Sequence, residues 1–371
     1  MKEISEKELI VGRRNALKMI GLGSAVMLSA GFSDVLTSCT ARTANPVKPL
    51  NNDSVSPVAF TTGTDRQQMI FEVMKPFHSE IKSAIKNKKV VLKVNMVSTS
   101  IPLCATHKDA LRAVMEYLKP IYNGQFIVAE SSASVNSAVG FGNYGYTDLE
   151  NEFNVKFVDL NENKTGTPCY IIDRNLHLDK IQLADIFCTP EEYYVISISR
   201  LKTHNSVIMT AGVKNMAMGA PLNPGALVEG GTPVSYKRSM HAGGSRWLHY
   251  NMFLVTQTAR ADFTIIDGVE GMEGNGPSQG TPVDHKIALA GFDAIAVDSM
   301  CTRLMNIPLE EVGYLNYLAA AGIGVVDRNK IEIIGSQIPE NHIINYTRNQ
   351  NIDMQLEWRE PFVVPAIQPR S

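Results

Sequence analysis

The chain has no closely spaced cysteine pair. Its five cysteines, Cys39, Cys104, Cys169, Cys188 and Cys301, include no C-x-x-C, so the thiolate spacing of a ferredoxin-type iron–sulfur cluster is missing. A single disulfide is open to it in an oxidising compartment, and sequence does not choose the pair. There is no Lys/Arg run with interleaved aromatics, and the formal net charge is only -2, which argues against nucleic acid as a partner. No G-x-x-x-x-G-K-[ST] occurs, and the glycine-rich stretch near residue 270 has no G-x-G-x-x-G opening a helix, so nucleotide binding through those loops is unsupported. H-E-x-x-H is missing too, and the longest apolar run falls short of the ~20 residues of a membrane span. What is present is a globular composition, 44% hydrophobic and 19% charged over 371 residues, enough for one large domain or two smaller ones.

The N-terminus reads as an address. Arg13 and Arg14 form a pair, followed by Leu17, Lys18 and a weakly apolar run from Met19 to Phe32. A charged region before a short apolar one is the pattern of an export signal, and it resembles the twin-arginine (Tat) consensus, with Ala16 where an aromatic is usual. A buried amphipathic helix with a chance arginine pair is the alternative. Leu36-Thr37-Ser38-Cys39 resembles a lipobox, in which a lipidated Cys39 anchors a protein to a membrane surface without spanning it; simple cleavage near Ala30 is the other reading. The expected organisation is a signal over 1–39, a tether rich in Asn, Ser, Thr and Pro over 40–64, an α/β domain over 65–345 and a C-terminal extension over 346–371. The signal resemblance implies the Tat machinery as a partner, a periplasmic or cell-envelope location, membrane contact only through the signal or a lipid anchor, and a passenger of the kind that often carries a metal or organic cofactor.

Beyond the tether, β-branched runs alternate with helical spacing. "KKVVLKVNMV" (Lys88–Val97), "QFIVAES", "NVKFVDL", "YYVISIS" (Tyr193–Ser199), "DFTIIDG" (Asp262–Gly268), "KIALAG" (Lys286–Gly291) and "KIEIIG" (Lys330–Gly335) read as strands. "HKDALRAVMEYLKPI", "RWLHYNMFLVTQTAR" and "DAIAVDSMCTRLM" read as helices, the first stopped by Pro120 and the last capped by Asp293. The expected fold class is α/β, a largely parallel sheet with flanking helices and room for two subdomains.

Ligands of such sheets bind beyond the carboxyl ends of the strands. That rule selects Asn95, Glu130, Ser131, Arg200, Lys202, Thr203, His204 and Asp267. The stretch "RLKTHNSVIMTAGVKNMAMGA" (Arg200–Ala220) places Lys202, His204, Lys214 and Asn215 among apolar and small residues, where an ammonium is costly unless paired. The catalytic candidates are His204, which titrates near neutrality, and Lys202. Lys214, Asn215 and Asn95 are candidates for holding a small anionic ligand or a cofactor. Gly274, Asn275 and Gly276 lie in the acidic, glycine-rich segment Asp267–His285, where turns can aim backbone amides at an anion. The carboxylates of that segment, Asp267 and Glu273 above all, are candidates for a metal ion, though a surface loop with turn chemistry is an equal reading. His241 follows in a glycine-bearing loop, while His249, beside Trp247, reads as packing. Asp298 falls within an apolar helix and is expected to pair with a lysine of the 202–214 stretch.

Taken in order, "VVLKVNMV", "ISISRLKTH", "TAGVKNMAMG", "IIDGVEGMEGNGPSQGTPV", "LAGFDAIAVDSM" and "AGIGVVD" resemble the family known as domain of unknown function 362, from about Lys88 to Gly335. The family has no general assigned activity. Some members carry an added ferredoxin-like cysteine module; this chain has none, so no such cluster is implied. Two functional readings stand on these residues. One is an exported enzyme acting on an anion or cofactor. The other is a cell-envelope binding protein or an accessory subunit of a redox complex.

Overall fold

A computed structural model describes residues 55–362 apart from 135, 226–227 and 230–231. The twin-arginine pair, Cys39 and most of the expected tether lie outside these residues. The fold that follows belongs to one compact unit, Pro46–Trp358.

The strands in chain order are β1 (Ser56–Thr62), β2 (Lys89–Val94), β3 (Phe126–Glu130), β4 (Val155–Asp159), β5 (Thr167–Ile172), β6 (Leu178–Leu183), β7 (Tyr193–His204), β8 (Ile208–Thr210), β9 (Val228–Glu229), β10 (Thr232–Pro233), β11 (Phe263–Glu273), β12 (Thr281–Gly291) and β13 (Ile331–Ile334). Nine of them form one sheet in the order β13-β1-β12-β11-β7-β2-β3-β4, with β8 attached to β7. The run β11-β7-β2-β3-β4 is parallel throughout, whereas β12 is antiparallel to both β11 and β1. The expected α/β class with a largely parallel sheet is what the chain adopts.

Alternation along the central strands sorts side chains to two faces. Val90, Leu92, Val94, Ile196, Ile198 and Ile265 join a core with the helices Arg66–Met74 and Lys108–Leu118. Val91, Val195, Ile266 and Leu289 join a second core with the helices Gly212–Gly219, Ser245–Thr256 and Ala294–Leu304. The Lys108–Leu118 helix buries Leu111, Val114, Met115 and Leu118, the stripe its spacing announced. Among the described residues no helix is long and apolar enough to cross a membrane.

Four expectations are corrected. The tether does not reach residue 64: Ser56–Thr62 is β1, paired with β12 on one side and β13 on the other. The extension does not begin at 346: Tyr346 is buried and Gln355 is fully buried, and the Gln355 Oε1 accepts the Ile208 amide at 2.6 Å. The acidic segment Asp267–His285 is not a loop but most of a hairpin, with Glu270 opposite Asp284 and Glu273 opposite Thr281. Asp298 does not pair with a lysine. Its carboxylate accepts the amides of Gly212 at 2.8 Å and Val213 at 3.0 Å, at the start of the Gly212–Gly219 helix. Those two donors are orphans of any helix start, and a buried carboxylate answers them.

Chain order supplies the place for a site. From β2 the chain steps outward to β3 and β4, then returns to lay β7 on the other side of β2. The crevice beyond the carboxyl ends of β2 and β7 is therefore the switch point of the parallel sheet, where open α/β folds bind ligands.

Candidate functional site

A cavity of about 320 Å³ lies at that switch point. Its wall includes Lys93 from β2 and Asn95 just past its end, Glu130 and Ser131 at the end of β3, and His204 from β7. Lys214, Asn215 and Gly219 come from the Gly212–Gly219 helix, Lys237 and His241 from the Tyr236–His241 helix, and Pro277 and Ser278 from the β11–β12 turn.

Among the described residues, three ammonium groups share this wall with one carboxylate. Lys93 has the face of Val91 by alternation, which aims it at the Gly212–Gly219 helix rather than at solvent. Its Nζ donates to both oxygens of Glu130, at 2.8 and 2.9 Å, to the Val94 carbonyl at 2.6 Å and to Asn215 Oδ1 at 3.2 Å. Burying such a pair is costly, and only a full set of hydrogen bonds offsets it. Burial still pulls the Lys93 ammonium below its usual value, against the pull of Glu130. Gly219 makes the fit: a Cβ there would stand 2.3 Å from Lys93 Cε.

Asn215 ties the strands together. Its Oδ1 accepts from Lys93 and, at 3.2 Å, from Asn95 Nδ2, and its Nδ2 donates to Ser197 Oγ at 3.0 Å and the Lys93 carbonyl at 3.3 Å. Lys202 lies one layer beneath. It is fully buried, donates to Asn95 Oδ1 and to the Cys104 carbonyl, and does not line the cavity. Its role in the geometry is to hold Asn95, not to meet a ligand. β7 also runs on through Lys202 to His204, so both residues belong to the strand rather than to a loop beyond it.

Lys214 and Lys237 carry the remaining charge. Lys237 donates to the Met218 carbonyl at 2.5 Å. Lys214 is nine-tenths buried and has no hydrogen bond or ion pair among the described residues. Burial, then the neighbouring lysines 202 and 237, pushes the Lys214 ammonium down to about 7. Burial first, partly opposed by Glu130, brings Lys237 to about 7 as well.

The two histidines hold opposite tautomers. His204 Nδ1 accepts the amides of Ser206 at 3.0 Å and Val207 at 3.3 Å. An amide only donates, so in the neutral ring the proton sits on Nε2. His241 Nδ1 lies 2.7 Å from the Lys237 carbonyl. A carbonyl only accepts, so His241 carries its proton on Nδ1 and leaves Nε2 as a base. Burial holds both rings below the ordinary imidazole value, His204 most strongly, with Lys214 adding to the effect on each. The turn that seats His204 puts Ile208 at φ 71, a strained conformation for a β-branched residue, held by the Gln355 bond.

The acidic candidates lie elsewhere. Asp267 is bound to Arg66, whose Nε reaches Oδ2 at 2.8 Å and Oδ1 at 3.1 Å. Glu270 pairs with Arg200 at 3.0 Å, and Glu273 accepts the Thr347 amide at 2.7 Å. Among the described residues no group of three or more His, Cys, Asp or Glu side chains stands together as metal ligands. Of the turn amides expected to meet an anion, that of Gly274 is spent on the Thr347 carbonyl at 2.9 Å. Gly276 is needed for packing, since a Cβ would stand 2.1 Å from the Thr203 carbonyl oxygen. Asn275 is not on the cavity wall; its neighbours Pro277 and Ser278 are. His249 is buried, with Nδ1 accepting the Tyr314 amide at 3.2 Å, and does pack as expected. The four described cysteines are free thiols.

Sequence reading missed Lys93, Lys237 and the pairing of Glu130. Lys93 had a signal, a lone charge in the middle of a β-branched run. Lys237 had a weaker one, four residues before His241 on one helix face.

A thylakoid-associated protein of Synechocystis is 26% identical over 226 residues, 59% of this chain and 63% of that protein, so the match leaves more than a third of the relative uncovered. A crystal structure of a Thermotoga maritima protein aligns at 13% identity over 71% of this chain and 59% of that one, with a TM-score of 0.39. The family model described as Domain of unknown function (DUF362) matches residues 90–303. That span exceeds half of the chain and contains every side chain of the cavity wall, and the chain belongs to this family.

Proposed function

We propose that the switch-point cavity binds a small anion, a carboxylate- or phosphate-bearing molecule, and moves a proton on it. One observation carries the reading: among the described residues, Lys93, Lys214 and Lys237 share a wall whose single carboxylate, Glu130, is already spent on Lys93. Buried positive charge without a counter-charge is unfavourable, and an anionic ligand supplies what the wall lacks. The volume, about 320 Å³, suits a small metabolite. The opposed tautomers support the second half of the reading. His204 offers an Nε2–H as a hydrogen-bond donor and His241 a free Nε2 lone pair as a base, both on one wall.

Calorimetric titration of the full chain with oxalate tests the binding. Saturable binding near neutral pH, weakened at least about tenfold by Lys214→Ala together with Lys237→Ala, is the expected result, since each lost charge-assisted contact is worth roughly 1.5–3 kcal/mol. No saturable heat from the wild-type chain contradicts it.

We also propose that the chain is exported to the cell envelope, a reading supported by Arg13, Arg14 and the apolar run that follows. Replacing both arginines by lysine in the full chain is expected to hold the protein in the cytoplasm; unchanged export contradicts it.

A further inference from the structure

We propose that Lys214 forms an imine with the carbonyl carbon of a small 2-oxo acid seated in the cavity. This rests on the anion-site reading above and adds the chemistry of the ligand.

The four lysines in and beneath the wall are not alike. Lys93 is bound to Glu130, Lys202 to Asn95 Oδ1 and the Cys104 carbonyl, and Lys237 to the Met218 carbonyl. Each is fixed by oxygen atoms of the protein and serves as a placed charge. Lys214 alone of the four has no partner among the described residues, although it is nine-tenths buried and faces the cavity. Its Nζ opens on the cavity with no acceptor from the described residues, where a ligand that enters can meet it. No acceptor among the described residues holds Lys214 in its ammonium form, so the free amine and its lone pair are open to a carbon electrophile. The low value of its ammonium, about 7, means that much of it is free amine at neutral pH. The fixed charge of Lys237 completes the match, because a 2-oxo acid brings a carboxylate for Lys237 beside a carbonyl for Lys214.

The condensation balances without any oxidant. The Nζ lone pair bonds to the carbonyl carbon while the π pair moves onto oxygen, giving a carbinolamine. The C–O bond then breaks, the oxygen leaves as water, and a C=N bond remains. Both hydrogens of that water match the two lost from the amine. His241 Nε2, on the same wall, takes each of the two protons from nitrogen and returns it to the oxygen, while the Nε2–H of the neutral His204 ring donates a hydrogen bond to that oxygen.

Incubation of the full chain with pyruvate, and separately with glyoxylate, in the presence of cyanoborohydride tests this, with peptide mass mapping of the reduced product. The expected outcome is one adduct per chain, on Lys214, formed at least about tenfold faster than on any exposed lysine, because exposed ammonium groups hold their protons near neutrality. Oxalate suppresses it, and Lys214→Arg, which keeps the charge, abolishes it. Absence of a Lys214 adduct with both reagents, or labelling no faster than at exposed lysines, overturns the imine. If oxalate still binds in that case, only the imine fails; if oxalate does not bind, the anion site fails first.

Discussion

The Asp298 carboxylate accepts the Gly212 amide at 2.8 Å across 86 residues of chain, and so fixes the start of the helix that carries Lys214 and Asn215. Burial pushes this carboxyl up to about 7, while the Gly212 and Val213 amides pull it back down. Asp298→Ala removes the acceptor for both amides at once and leaves them buried. The expected loss is about 2–4 kcal/mol, the penalty of two unsatisfied donors, read by urea denaturation. A change within about 0.5 kcal/mol, as for a surface substitution, contradicts the role given to Asp298.

Gly219 decides whether Lys93 and Glu130 keep their pairing. Gly219→Ala would bring a Cβ to 2.3 Å from Lys93 Cε and 2.5 Å from Nζ, so the ammonium must shift. The variant is expected to fold, because the clashing atoms end a flexible side chain, yet to bind oxalate at least about fivefold less tightly, a loss of roughly 1 kcal/mol. Unchanged affinity contradicts the placement of Lys93 on the ligand side.

The free protein should carry a stability penalty from its uncompensated lysines. Lys214 and Lys237 titrate at about 7 when folded, against an ordinary 10.5. Between those values the unfolded chain binds more protons, so stability rises with pH across that window and is lowest below it. Lys214→Met is therefore expected to exceed the wild type in stability near pH 6, by on the order of 1 kcal/mol, with the gap closing towards pH 10. Denaturant midpoints at the two pH values check this; a variant less stable at pH 6 than at pH 10, relative to wild type, contradicts it.

Imidazole nitrogen shifts give a direct view of the two rings. His204 should show a protonated Nε2 and His241 a protonated Nδ1, both rings neutral at pH 8, since burial holds both below the ordinary imidazole value. Matching tautomers, or a protonated His204 at that pH, contradict the pairing of one donor with one acceptor.

Much of the frame was legible in residue order. β2, β3, β4, β11 and β13 announced themselves as β-branched runs, and the Lys108–Leu118 helix as an apolar stripe. The failures share physical causes. β7 was cut at Ser199 because Arg200, Lys202 and His204 are polar, yet each is buried and partnered or faces the cavity. β11 and β12 were cut short because Gly268, Gly271 and Glu273 resemble turn residues; a Cβ at Gly268 would meet Ile287, and one at Gly271 would meet Tyr346. The Gly212–Gly219 helix has buried residues on nearly every side and so shows no 3.6-residue stripe. The site was half legible. Its position beyond β2 and β7 followed from the strand pattern, with His204, Lys214, Asn215 and Asn95 on the wall. Asp267 and Glu273 fell away because charge alone does not tell that Arg66 and the Thr347 amide are already in place to meet them.

The central claim is that an anion supplies the charge that Lys214 and Lys237 lack. An anion seated beside them raises both ammonium groups from about 7, so binding above neutrality must draw protons from solution. The most direct test is the heat of oxalate binding to the full chain at pH 8, measured in buffers of different ionisation enthalpy. The account predicts a heat that varies with the buffer and reports net uptake of between about one and two protons, lost in Lys214→Ala with Lys237→Ala. Binding with the same heat in every buffer, or with release of protons, would contradict it.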